Sequence, residues 1–179
     1  DETFCVEAWL KFSSQADGER PINLGNTHNN ATGYLYIETK GNNTFKVRQQ
    51  SLGILGDDIG RYDLGQWVHV AYTHDNTLQV TKFYVNGTCV KAAHGNTWTA
   101  NSTMVVRLGA DQSNASANLF HGYIQDARVY FGTTKYTEDF DVPHPYRPVG
   151  IESFRTSPHT PVNDYPCFNW MNNYSTSAT

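Results

Sequence analysis

The run Phe4-Cys5-Val6-Glu7-Ala8-Trp9-Leu10-Lys11 sets Phe4, Val6, Ala8 and Leu10 against Cys5, Glu7, Trp9 and Lys11. A period of two is that of a β-strand with one face in a core. No long apolar stripe of period 3.6 competes with it anywhere in the chain, so helices cannot carry the fold. The composition agrees. Glu, Lys and Ala, the usual helix formers, are scarce, whereas Thr, Asn, Tyr, Val and Gly are plentiful and favour strands joined by turns.

Further strands are expected at 22–24, 34–39, 45–49, 67–73, 80–85, 88–92, 104–108 and 123–130. Turn chemistry separates them: 26–33 and 41–44 are rich in Asn, Gly and Thr, and Asn86-Gly87 is a hairpin signal because both positions tolerate φ > 0. Residues 53–65, rich in Gly and Asp, read as a connection. A short helical turn is expected near 136–139. Nine or ten short strands at regular spacing mean an all-β sandwich or barrel.

The composition changes at Val142. Pro143, Pro145, Pro148, Pro158, Pro161 and Pro166 all lie beyond it, leaving only Pro21 elsewhere, and such a segment cannot supply interior strands. The expected organisation is therefore a sandwich over 1–141 and an extended Pro/aromatic-rich arm over 142–179. The arm carries Phe154, Tyr165, Phe168, Trp170 and Tyr174, more aromatic surface than a linker needs. Extended, it would span roughly 120–130 Å, against a radius of gyration of roughly 14 Å for the body. It can reach across its own domain or onto a neighbour.

Charge excludes some partners. The net charge is −4 and no dense Lys/Arg cluster occurs, so nothing prepares the chain for nucleic acid. No stretch approaches the ~18–20 apolar residues of a helical membrane span. The sequence opens on Asp1 rather than Met, and removal of a secretory leader or excision from a longer chain is the expectation.

Four segments resemble the laminin-G-like, concanavalin A-like lectin/glucanase superfamily. They are Phe4-Cys5-Val6-Glu7-Ala8-Trp9-Leu10, Trp67-Val68-His69-Val70-Ala71, Phe83-Tyr84-Val85-Asn86-Gly87, and Gly122-Tyr123-Ile124-Gln125-Asp126-Ala127-Arg128-Val129-Tyr130. Their order and spacing agree with that family from Phe4 to Tyr130. The stretch running from Gly132 through Tyr136-Thr137 and Phe140 to Pro143 is similar to an ending common in such domains of phage and other particle-surface proteins. The resemblance implies a jelly-roll sandwich of two antiparallel sheets. It implies function less directly, because the superfamily hosts lectins, adhesion modules, glycanases and structural spacers.

Catalysis finds no support in the sequence. A glycanase needs two carboxylates flanking a sugar bond, and the contiguous acids Glu138, Asp139 and Asp141 have the wrong parity to share a strand face. His69 lies inside a strand and reads as structural. His74 and Asp75 have no accompanying nucleophile motif. No cofactor is required; Ca²⁺ is the one the sequence leaves room for, because hard cations need several oxygens. Asp57, Asp58 and Asp63 form one acidic loop, and Asp111 lies in another.

Cys5, Cys89 and Cys167 are too few for a disulfide framework and too dispersed for a metal knuckle. Two of the three can pair in an oxidising compartment, and spacing does not choose which; three buried free thiols are the other reading. Glycosylation sequons begin at Asn30, Asn42, Asn86, Asn101, Asn114 and Asn173, where chance gives roughly two or three. The first five fall in expected turns.

The function expected from these features is a non-enzymatic structural glycoprotein, secreted, extracellular or on a particle surface. It would self-associate through the arm with other copies of itself, into a filament if the contact does not close. The alternative is a carbohydrate-binding or adhesion module, calcium-dependent if the loop acids converge, with Trp98 and Trp170 stacking on sugar rings.

Overall fold

The computed structural model describes residues 2–25, 34–49, 53–95, 97–98, 105–111 and 118–143. Ten strands occur among them, and no helix: β1 (Phe4–Phe12), β2 (Ile22–Gly25), β3 (Leu35–Lys40), β4 (Thr44–Gln49), β5 (Gly53–Ile59), β6 (Trp67–Asp75), β7 (Val80–Val85), β8 (Thr88–His94), β9 (Val105–Leu108) and β10 (Gly122–Phe131). They form two five-stranded antiparallel sheets. The first runs β10-β1-β6-β7-β8 and the second β5-β4-β3-β2-β9, giving the expected jelly-roll sandwich. Asp1–Pro145 group into one compact unit; the second unit, Tyr146–Thr179, lies outside the described residues.

The alternation of β1 becomes a partition between faces. Phe4, Val6, Ala8, Leu10 and Phe12 all point into the core, where they meet Val68, Val70 and Tyr72 of β6 and Phe83 and Val85 of β7. Across from them the second sheet contributes Ile22, Leu24, Leu35, Ile37, Phe45 and Val47. Each buried Val, Leu, Ile or Phe among them contributes about 1.5–3 kcal/mol. Pairing β1 with β6 in the register Phe4↔His74 to Lys11↔Trp67 keeps both sets inward, and a one-residue slip would turn them all outward. Phe12 sits in an aromatic cluster: its ring stacks on Tyr62 at 3.9 Å and meets Phe120 and Phe45 edge-on. Phe12→Ala would cost about 3–5 kcal/mol.

One polar chain crosses the core. The Tyr72 hydroxyl donates to Oε1 of Gln49 in the opposite sheet, as does Thr81 at 3.3 Å. The His74 Nδ1 lies 2.9 Å from the Thr81 hydroxyl, and its Nε2 3.2 Å from Oδ1 of Asn76. His74 is fully buried, and that burial pulls its pKa down.

Two sequence expectations need correction. Residues 53–59 are a strand: backbone pairing to β4 makes it one, although Gly53, Gly56, Asp57 and Asp58 erase any apolar period. A Cβ on Gly56 would lie 2.6 Å from Cδ1 of Ile59, so the bulged pairing needs glycine there. Residues 136–139 are not helical. The carbonyls of Tyr136 and Thr137 accept instead from Tyr84 and Lys82 of the first sheet, and the Asp139 carboxylate accepts from the Cys89 N–H.

Candidate functional site

The sandwich has two outer faces, and the chain itself covers part of one. After β10, residues 132–143 run across the outer face of the first sheet. The Phe140 N–H donates to the Gly87 carbonyl at 2.9 Å, and the Trp9 indole N–H donates to the Pro143 carbonyl at 3.1 Å. Tyr136 and Phe140 stack ring on ring, with centroids 3.5 Å apart, over Tyr84 and the edge of His69. This accounts physically for the spacing of Gly132, Tyr136, Phe140 and Pro143. It also shows that the arm's first residues, Val142 and Pro143, begin on their own sandwich.

Beneath this strap lies Glu7, 1% exposed. Its carboxylate accepts from Lys135 Nζ at 2.6 Å, from Tyr136 OH at 2.6 Å and from Tyr130 OH at 3.0 Å, and His69 Nε2 lies 3.4 Å away. Burial alone would raise the Glu7 pKa, but the hydrogen bonds from His69, Lys135, Tyr136 and Tyr130 outweigh it and hold it down at about 2. The cluster pins the strap. It has no open approach for a substrate.

The outer face of the second sheet is built differently. Parity along β3 sends Leu35 and Ile37 inward and leaves Tyr36 and Glu38 outward, with Tyr34 just before the strand; along β4 it leaves Lys46 and Arg48 outward. The register sets Tyr36 against Arg48 and against Asn23, Glu38 against Lys46, and Asn23 against Arg107 of β9. The Tyr34 and Tyr36 rings are stacked nearly parallel, 8° apart with centroids 6.3 Å apart. Arg20, which precedes β2, lays its guanidinium 4.0 Å from the Tyr36 centroid, and Arg48 lies 5.7 Å from that of Tyr34. Both rings are well covered, Tyr34 at 5% and Tyr36 at 4% exposure.

Ion pairs organise this face. Arg20 bridges Glu38 at 2.8 Å and Asp111, and Lys46 approaches Glu38 at 3.6 Å. The Arg107 guanidinium donates to the Asp111 carbonyl at 2.8 Å, and the Asn23 amide donates to the Ala110 carbonyl. Arg20, Tyr34, Tyr36, Lys46 and Arg48 were not singled out by the sequence. Their only local signal is the parity of 34–39 and 45–49, because the contacts that join them span up to 91 positions.

The acids proposed for calcium do not converge. Asp57 lies 3.8 Å from Lys40, which also meets Asp17 at 3.6 Å. Asp58 accepts from the Asn42 amide at 2.9 Å and from Thr44 at 3.1 Å. Asp63 is exposed and Asp111 is paired with Arg20. Among the described residues no group of three or more His, Cys, Asp or Glu is placed to hold a metal ion. Glu19 gathers Ser14 and His121, but the serine hydroxyl donates to the carboxylate rather than to the imidazole, so this is not a nucleophile–base pair.

Trp98 is 2% exposed and packs edge-on against Phe4 at 4.8 Å. It belongs to the core, which overturns the expectation that it stacks on a sugar. Cys5 and Cys89 are free thiols. They cannot bridge, because β6 and β7 lie between their strands and about 14 Å separates β1 from β8 at ~4.8 Å per strand. Burial pushes the Cys5 thiol up to about 12 and raises Cys89 as well. Asn42 and Asn86 sit exposed on turns, with Asn86 Oδ1 accepting from the His69 N–H at 2.9 Å. Asn30, Asn101, Asn114, Asn173, Cys167, Trp170 and the arm residues Phe154, Tyr165, Phe168 and Tyr174 lie outside the described residues.

Comparison with solved structures gives likenesses over 72% of this chain. The CBM40 of the Ruminococcus gnavus IT-sialidase, bound to α2,3-sialyllactose, matches with TM-score 0.59 and 18% identity over 75% of its own length. The heptameric SAP-like pentraxin of Limulus polyphemus matches with TM-score 0.53 and 16% identity over 63% of its chain. The leech intramolecular trans-sialidase matches with TM-score 0.57 and 16% identity, but over only 21% of its chain. At these identities the likeness is one of fold. Sequence comparison with curated proteins gives no match. The model of the Concanavalin A-like lectin/glucanases superfamily of laminin G type matches residues 1–135, where the strand order, the inward parity and the hairpin at Asn86-Gly87 all lie, and the chain belongs to that superfamily.

Proposed function

We propose that this module binds carbohydrate, without transforming it, on the outer face of its second sheet. The observation that carries this reading is the row of charged hydrogen-bonding groups on this face, Arg20, Lys46, Arg48 and Glu38, seated about the covered, stacked rings of Tyr34 and Tyr36. Such groups suit the hydroxyls of a sugar, which convergent polar side chains can bind. The opposite outer face is partly roofed by the strap at Tyr136 and Phe140, so it competes poorly as a ligand surface. Structural likeness to a carbohydrate-binding module supports the reading at the level of fold.

A non-catalytic role fits the described carboxylates. Glu38 and Asp111 are both committed to Arg20, and Glu7 is closed in under the strap. Neither arrangement offers the facing acid and base that glycoside hydrolysis requires. An extracellular or surface location suits a glycan binder, and among the described residues no helix is long and apolar enough to cross a membrane. Self-association and a filament draw no support from the described residues, since the aromatic anchors of the arm lie beyond them.

A glycan array with the full chain tests the proposal, with Arg48→Ala and Lys46→Glu as site variants. Binding that falls at least tenfold in both variants supports it. Absence of binding to every glycan overturns it. Binding unchanged in both variants moves the site off this face.

A further inference from the structure

The tip of the β7–β8 hairpin presents more than a turn. Asn86 and Gly87 take φ +50° and +80°, left-handed positions that an Asn-Gly pair accepts readily. The turn accounts for both residues. It makes no demand for a hydroxyl at the next position, yet Thr88 follows, exposed, and completes the sequon Asn86-Gly87-Thr88. Six sequons occur in the chain, where chance gives roughly two or three.

The Asn86 side chain has a fixed orientation. The Asn86 backbone N–H donates to the His69 carbonyl at 2.8 Å, and Asn86 Oδ1 accepts from the His69 N–H at 2.9 Å. Only an oxygen can face that N–H, so the amide holds Oδ1 inward and turns Nδ2 away from it. Asn86 is exposed, and among the described residues nothing engages its Nδ2. The other described sequon differs. Asn42 Nδ2 donates to Asp58 at 2.9 Å and its Oδ1 accepts from Thr44 at 2.5 Å, so a substituent on that nitrogen competes with the bond to Asp58.

We infer that Asn86 is an N-glycosylation site and that its glycan shields the strap. The transfer joins Nδ2 to the anomeric carbon of a lipid-linked oligosaccharide. The bond from that carbon to the carrier's diphosphate breaks, the diphosphate leaves with the electron pair, and Nδ2 gives its proton to a base of the transferase. Attachment precedes folding, so the fold decides only whether the substituted chain can close. At Asn86 it can, because neither bond to His69 uses Nδ2. The neighbours define what the glycan covers. The Phe140 N–H donates to the Gly87 carbonyl and the Cys89 N–H to the Asp139 carboxylate, so the strap crosses at this tip. A bulky, hydrated glycan rooted there stands over that crossing. The inference rests on export of the chain, the location proposed above, and is independent of the sugar-binding face.

The full chain, secreted from a eukaryotic host behind a cleavable leader, tests this. Enzymatic deglycosylation in heavy-oxygen water turns each glycosylated asparagine into a labelled aspartate, which peptide mass spectrometry locates. Label at Asn86 is expected in most molecules, retained in Thr88→Ser and lost in Thr88→Ala. The alanine variant keeps Asn86 and its bonds to His69, and a thermal melt confirms that it is folded. Secreted, folded protein without label at Asn86 overturns the site. Label in the host but none on protein from its natural source overturns export instead. Limited proteolysis within residues 132–143 should run several-fold slower in the glycosylated chain than in Thr88→Ala, and equal rates overturn the shielding.

Discussion

Lys135 Nζ lies 2.6 Å from Oε1 of Glu7, joining the segment that follows the last strand to the middle of the first. Two tyrosine hydroxyls, from Tyr130 and Tyr136, complete the same carboxylate. Glu7 is buried, so the pairing is shielded from solvent and does not behave like a surface salt bridge.

Replacing Glu7 by Gln removes the charge while nearly keeping the shape. The pKa held at about 2, against 4.5 for a free glutamate, corresponds to about 3 kcal/mol of folding stability at neutral pH. Glu7→Gln is expected to destabilise the sandwich by roughly that amount in urea unfolding. A Glu7→Leu, Lys135→Met pair should recover part of the loss, because no charge is then left without a partner.

Two buried groups, His74 and Glu7, give stability a dependence on pH, and their signs agree. His74 has a folded pKa below its ordinary 6.5 because burial disfavours the charged ring. The unfolded chain therefore binds the proton more readily, and stability falls as pH drops below about 6.5. Glu7 has a depressed pKa, so its contribution is complete above about 4.5 and is lost as pH falls toward about 2. Thermal melts across that range should show a continuous decline on acidification. Glu7→Gln should flatten its lower part, and a mutant curve parallel to wild type below pH 4.5 would show that Glu7 is not the group responsible.

Gly87→Ala should loosen the strap. Gly87 sits at φ +80°, and a Cβ there would lie 2.0 Å from the Phe140 carbonyl oxygen. An alanine pays about 1–2 kcal/mol for the left-handed backbone, and it must also push Phe140 away. Faster limited proteolysis within residues 132–143 is the expected readout, with the core strands still protected.

The thiols should differ in reactivity. Cys5 is fully buried with its pKa raised to about 12, whereas Cys89 is half-buried near the edge of the sheet. The thiolate is the reactive form. Brief alkylation of native protein followed by peptide mass spectrometry should label Cys89 well before Cys5, and equal labelling would contradict the buried placement.

Most of the sandwich was legible because strand parity is local. Phe4, Val6, Ala8 and Leu10 declare an inner face within eight residues, and Asn86-Gly87 declares its own hairpin through its tolerance of positive φ. β5 was illegible for the opposite reason: its Gly53, Gly56, Asp57 and Asp58 carry no apolar period, and backbone pairing to β4 alone makes it a strand. Trp98 was misassigned as a sugar platform because a lone aromatic in a polar stretch carries no sign of what will cover it.

By itself the sequence determined the all-β class, the faces of most strands and the hairpin, since each depends on residues a few positions apart. Only the tertiary structure decided that Glu7 would be met by Tyr130, Lys135 and Tyr136, and that Arg20 would join Glu38 to Asp111 beside Tyr36. Those groups are brought together by sheet order and register. Whether a charge is matched, as at Arg20, is settled by burial and neighbours that no local period encodes.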